Sequence, residues 1–92
     1  MHIISFKKLR EFWQYHPDAA EPLRRWHQIT AKAQWRQLAD TRCDFPHADL
    51  LGVCTIFNIK GNDYRLVSKI YYPNQIVLVR FVLTHADYDK GT

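Results

Sequence analysis

Three apolar, β-branched runs fill the second half of the chain, separated by short turn signals. Residues 53–60 read VCTIFNIK, residues 64–72 read YRLVSKIYY, and residues 76–84 read IVLVRFVLT. GND and PNQ stand between them. Runs of this length, joined by Gly, Pro, Asn and Asp, predict three strands in an antiparallel meander. No other feature limits the fold as strongly. A three-stranded meander needs something apolar to cover one of its faces.

The first half supplies the cover. Leu9, Phe12 and Trp13 fall at i, i+3 and i+4, and Pro17 stops that helix. A second helix follows in DAAEPLRRWHQITAKA. Asp18 and Glu21 have capping-box spacing, Pro22 is tolerated in the first turn, and Leu23, Trp26, Ile29, Thr30 and Ala33 form one face. A shorter helix includes Trp35, Leu38 and Ala39. CDFPHADLLG, residues 43–52, reads as a loop, and MHIIS at the start as a short strand. Helices before strands predict an α+β layer: two or three N-terminal helices on one face of a small, mostly antiparallel sheet. Ninety-two residues make a single domain, 1–92.

Composition narrows the function. The apolar fraction of 47% and three tryptophans describe a folded globule. Thirteen Lys and Arg against nine Asp and Glu give +4. That balance suits a polyanionic partner, nucleic acid first, although it also serves solubility. Cys43 and Cys54 lack CxxC spacing, so they predict neither a zinc site nor a disulfide framework, but reduced structural thiols. Five scattered histidines give no HExxH pattern, and three glycines give no phosphate loop. No metal and no cofactor are expected. No run approaches the ~20 apolar residues of a membrane span, and MHIISFKKLREF is no signal peptide. The expected location is the cytoplasm, with no membrane partner.

Each predicted strand carries polar residues that an apolar strand does not need. Asn58 and Lys60 share parity on the first, and Arg65 and Lys69 on the second. Arg80 interrupts the third. Side chains alternate faces, so the open face is expected to show Lys60, Arg65, Lys69 and Arg80 to a phosphate backbone. A solvated face dotted with charge is the plain alternative. Arg80, inside the most apolar strand, calls for a ligand or a salt bridge. His85 and Tyr88 follow at the strand's exit, with Asp87, Asp89 and Lys90 beside them. They read either as proton-handling groups or as a helical turn capped by Thr84 and facing water.

TIFNIKGNDYRLV and VRFVLTHADYDKG, together with HPDAAEPLRRW and FPHADLLG, resemble the HigB toxins of bacterial type II toxin–antitoxin systems. The likeness runs over nearly the whole chain. It implies a RelE-like fold and a ribosome-dependent mRNA endonuclease that inhibits translation without a metal. It implies a HigA-type helix-turn-helix antitoxin as partner, and operator DNA bound only through that antitoxin. It carries catalytic roles to Lys60, Arg65, Arg80, His85 and Tyr88. Asn58, Lys69 and Lys90 would then contact RNA beside them. Arg65 and Arg80 would clamp the phosphate, His85 (with Lys60 second) would move protons, and Tyr88 would orient or stack on a base. A non-catalytic RNA-binding module and a protein-binding domain are the competing expectations.

Overall fold

The computed structural model describes residues 1–90, the side chain of Lys90 excepted. Its order is β1 (His2–Ile4), α1 (Phe6–Tyr15), a 3-10 turn (Pro17–Ala19), α2 (Ala20–Lys32), α3 (Leu38–Asp44), β2 (Asp49–Leu51), β3 (Cys54–Ile59), β4 (Tyr64–Tyr71), β5 (Ile76–Thr84) and α4 (His85–Lys90). The strands form one sheet in the order β1-β5-β4-β3-β2. The expected meander is its centre: β3 pairs antiparallel with β4, and β4 with β5. β1 runs parallel to β5 at His2–Ile76, Ile3–Val77 and Ile4–Leu78. The α+β expectation holds. Among the described residues no helix is long and apolar enough to cross a membrane.

Trp26, Leu23 and Leu9 from the helices are buried against Phe57, Leu66, Val77 and Val79 of the sheet. Phe57 is the hub: the rings of Trp26 and Phe45 meet it edge-on at 5.4 and 5.1 Å, and Trp35 stacks on it at 6.2 Å. Truncating a buried tryptophan of this kind typically costs about 3–5 kcal/mol.

Three local expectations change. The 43–52 segment is not wholly loop. α3 runs on to Asp44, and Asp49–Leu51 pairs with β3 as a two-residue hairpin in which Gly52 takes φ +61. Asp18 does not cap α2, because its carboxylate is committed elsewhere: Tyr64 Oη donates to it at 2.5 Å and Lys60 Nζ at 2.7 Å. Both cysteines are free, yet Cys43 is exposed rather than buried.

The alternation of β5 also slips. Val67 pairs with Phe81 while Ser68 pairs with Val79, so Arg80 is an extra, bulged residue. Val77 and Val79 face the core before the bulge, and Val82 packs against the core after it. Phe81 and Leu83 are therefore on the open face. At the bulge, Lys8 Nζ donates to the Arg80 carbonyl at 2.9 Å.

Candidate active site

α1 and α2 cover one face of the sheet, and the candidate site lies on the other. Asn58 on β3 is registered with Arg65 on β4, and Arg65 with Leu83 on β5. β5 ends at Thr84, whose Oγ1 accepts from the Asp87 amide at 3.1 Å and so caps α4. The His85 amide donates to the Asp63 carbonyl at 2.9 Å, fastening the start of α4 to the β3–β4 turn. Helical spacing then puts His85, Tyr88 and Asp89 on one side, over Arg65.

Arg65 is held without being neutralised. Its Nη1 donates to the carbonyls of Asn62 and Tyr64, both at 3.1 Å. Its Nη2 reaches His85 Nδ1 at 3.2 Å, and its Cζ lies 5.7 Å from the centre of the Tyr88 ring. Among the described residues no carboxylate pairs with it. A guanidinium can only donate, so His85 Nδ1 must accept. The ring proton of neutral His85 therefore sits on Nε2, which faces Asp89 Oδ2 at 3.1 Å. Arg65, His85 and Asp89 form a chain in which each group fixes the next.

A groove of about 450 Å³ opens in front of this chain. Asn58, Ile56, Arg65 and Tyr88 line its sheet side; Arg42, His47 and Asp49 line the other. Arg42 Nε donates to the Ala48 carbonyl at 2.9 Å, pinning the loop that carries His47. His47 is exposed and makes no hydrogen bond within the described residues. Arg42 lies 3.6 Å from Asp49, so part of its charge is offset. Among the described residues no three of His, Cys, Asp and Glu converge as metal ligands.

The groove gathers Asn58, Arg65 and Tyr88, and Arg65 holds His85 against it. Lys60 is not with them, because it lies past the end of β3 with φ +52, which breaks the alternation that would have aligned it with Asn58. Its ammonium turns to the helix side, to Asp18 and, at 3.7 Å, to Asp63. The hydrogen bond to Asp18 raises the Lys60 pKa above the usual lysine value, which makes it a poorer base. Arg80 leaves the expected row because of the bulge. It is exposed, lies beside α1 with Lys8 and Phe81, and has no salt bridge among the described residues. Lys69 stays on the open face, half-buried, with Nζ 5.3 Å from the Tyr71 ring centre. Lys90 ends α4, but its side chain lies outside the described residues. Arg42 and His47 were missed by the sequence reading. One sits on the helix and the other in the loop, so no strand parity links them to Arg65.

The chain matches the HigB_toxin family, the RelE-like toxic component of a toxin–antitoxin system, over residues 19–91. It is 28% identical to the mRNA interferase toxin HigB of Escherichia coli strain K12 and to the mRNA interferase HigB of Shigella flexneri, over all of this chain and 91% of each relative. It is 26% identical to an mRNA interferase HigB of Escherichia coli O6:H1, covering 92% of it. The matched span takes in α3, the loop of His47, the hairpin of Arg65 and the helix of His85, every element that builds the groove. The chain belongs to the HigB_toxin family.

Proposed function

We propose that this chain is a single-domain toxin that cuts mRNA on the ribosome in the cytoplasm and is neutralised by a HigA-type antitoxin. The relatives' name, mRNA interferase, supports the reaction class. The observation that carries the site is Arg65: a preorganised guanidinium with no carboxylate partner among the described residues, set beside an imidazole, a phenol and an open groove. A buried or half-buried cation is normally paired, and one held by neutral acceptors is available to an anion.

The reaction proceeds through the RNA's own 2′-OH. That oxygen attacks the adjacent phosphorus as its proton leaves to a base. The P–O5′ bond breaks, and the departing oxygen takes a proton from an acid. The products are a 2′,3′-cyclic phosphate and a 5′-hydroxyl. Arg65 holds the phosphate and stabilises the added charge. Drawing Arg65 toward the phosphate frees His85 Nδ1, which then accepts the 2′-OH proton, while Asp89 stabilises the imidazolium at Nε2. His47, which lines the groove and makes no hydrogen bond among the described residues, donates to the leaving oxygen. Tyr88 stacks on or orients a base. The step is carried by guanidinium, imidazole and phenol groups of the chain itself.

The test is cleavage of a defined mRNA in a translation extract, with and without the co-expressed antitoxin. New ends bearing 5′-hydroxyl and 2′,3′-cyclic phosphate, formed only during translation and suppressed by the antitoxin, are expected. Intact mRNA at confirmed levels of folded chain would overturn the reading. Efficient cutting of naked RNA at many sites would remove the ribosome from it.

A further inference from the structure

The bulge in β5 does more than displace Arg80. It turns Phe81 onto the open face, where the residue is 53% exposed although it lies in the most apolar strand. Two cations flank this ring. Lys8 Nζ is 5.6 Å and Arg80 Cζ 5.8 Å from its centre. Lys69 stands on the same face beside Tyr71. Among the described residues none of these three cations is paired with a carboxylate. Glu11, the acidic neighbour, is 3.7 Å from Lys7 instead.

The patch is continuous with the groove. Ile56 and Tyr88 line both the groove and an adjoining hollow that also takes in Val67, Phe81 and Leu83. Phe81 and Leu83 in turn line a hollow reaching Lys8 and Arg80. Arg65 is registered with Leu83, and Phe81 is the next residue of β5 on that face. Such a diagonal step spans about 7–8 Å, or about two nucleotides at a stacked spacing of roughly 3.4 Å. Exposed aromatics between unpaired cations, leading away from a phosphate site, are the chemistry that holds single-stranded nucleic acid.

We propose that Phe81, rimmed by Lys8 and Arg80, is a stacking platform for the RNA strand flanking the bond cut in the groove. The platform rests on the groove being an RNA-cleaving site and adds a second subsite to it. Arg80 then holds a flanking phosphate rather than the scissile one. The bulge is the device that presents both residues, as bulges beside active sites often do.

The experiment titrates the full chain, followed by amide and side-chain NMR, with uncleavable 2′-O-methyl RNA: a dinucleotide and an octanucleotide. The dinucleotide is expected to shift signals of Arg65, His47 and Tyr88 only. The octanucleotide is expected to shift Phe81, Lys8 and Arg80 as well. Phe81→Ala should weaken octanucleotide binding about tenfold, within the range of one lost base stack, and leave dinucleotide binding unchanged. Phe81→Trp should restore it and Phe81→Leu should not. Octanucleotide binding that shifts only the groove, or that Phe81→Leu retains in full, overturns the platform and leaves the groove standing. Shifts at Phe81 without shifts at Arg65 overturn the groove as the RNA-cleaving site, and with it the platform as a flanking subsite. Loss of antitoxin binding in Phe81→Ala with octanucleotide affinity intact assigns the patch to the protein partner and overturns the proposal.

Discussion

Two polar clusters stand at the same end of the β3–β4 hairpin, on opposite faces of the sheet. On the helix side, Lys60, Asp18 and Tyr64 meet at 2.5–2.7 Å. On the open side, Arg65, the residue after Tyr64, meets carbonyls and His85 at 3.1–3.2 Å. Both are hydrogen-bonded, and both hold a cation. They differ in how the charge is met. Asp18 and Asp63 answer Lys60, whereas among the described residues no carboxylate answers Arg65. The first cluster joins the 3-10 turn to the hairpin and is complete within the protein. The second leaves an unmet positive charge at a groove. Charge compensation, more than the presence of a basic residue, separates the scaffold from the proposed site.

The largest effect is expected from Arg65→Ala. The expected result is a loss of about 100- to 1,000-fold in mRNA cleavage, the usual cost of one transition-state donor. The melting temperature should change little. Arg65→Lys should recover only part of the rate, because lysine lacks the planar fork. Single-turnover cleavage on stalled ribosomes, beside a thermal melt, measures both. A large drop in melting temperature with proportionate loss of activity would make Arg65 a scaffold residue like Lys60.

His85→Gln comes next, with a loss of about 100-fold expected at neutral pH, the lower range for general acid–base groups. Ribosome-bound mRNA affinity should hold, so the loss should fall on the cleavage step itself. Asp89→Asn should give a smaller loss, since Asp89 holds the imidazole in place without replacing it. Wild-type cleavage in folded His85→Gln would move the base elsewhere, with His47→Gln the immediate control.

Arg80→Ala tests a residue between the two classes, exposed and without a salt bridge among the described residues, but outside the groove. The expected loss of cleavage is about tenfold or less, the scale of one flanking contact, with an unchanged melting temperature. A loss as large as that of Arg65→Ala would return Arg80 to the catalytic clamp.

These differences explain what could be read from the sequence. The meander, the covering helices and the polar parity of Asn58 with Arg65 follow from side-chain period and turn chemistry, which are local. His85 and Tyr88 were legible because they adjoin a strand end. Lys60 and Arg80 were misplaced by two local departures from alternation, a positive φ and a bulge. Neither residue is glycine, so nothing in the sequence marked those positions. Arg42 and His47 reach the groove through Arg42's bond to Ala48, a tertiary contact that no period encodes. The parallel strand β1 was legible as a strand but not in its pairing, which depends on the path of α1 and α2 around the sheet.

The smallest effect on cleavage is expected from Asp18→Asn, on the scaffold side of the sheet. The bonds from Lys60 and then Tyr64 hold the Asp18 pKa below the usual carboxylate value, while Asp18 raises that of Lys60. A depressed carboxylate stabilises the fold above its unfolded pKa and loses that contribution as pH falls through the folded one. The raised lysine contributes below its own unfolded pKa and loses that as pH rises through the folded value. The staple is therefore present across neutral pH and fades in acid and in strong base. Asp18→Asn should melt below the parent at neutral pH, and the gap should close as pH drops through the carboxylate range. Cleavage at temperatures well below melting should match the parent, since Asp18 serves the face opposite the groove. A gap that stays constant down to the acid limit would mean that the carboxylate's charge contributes nothing to fastening the turn.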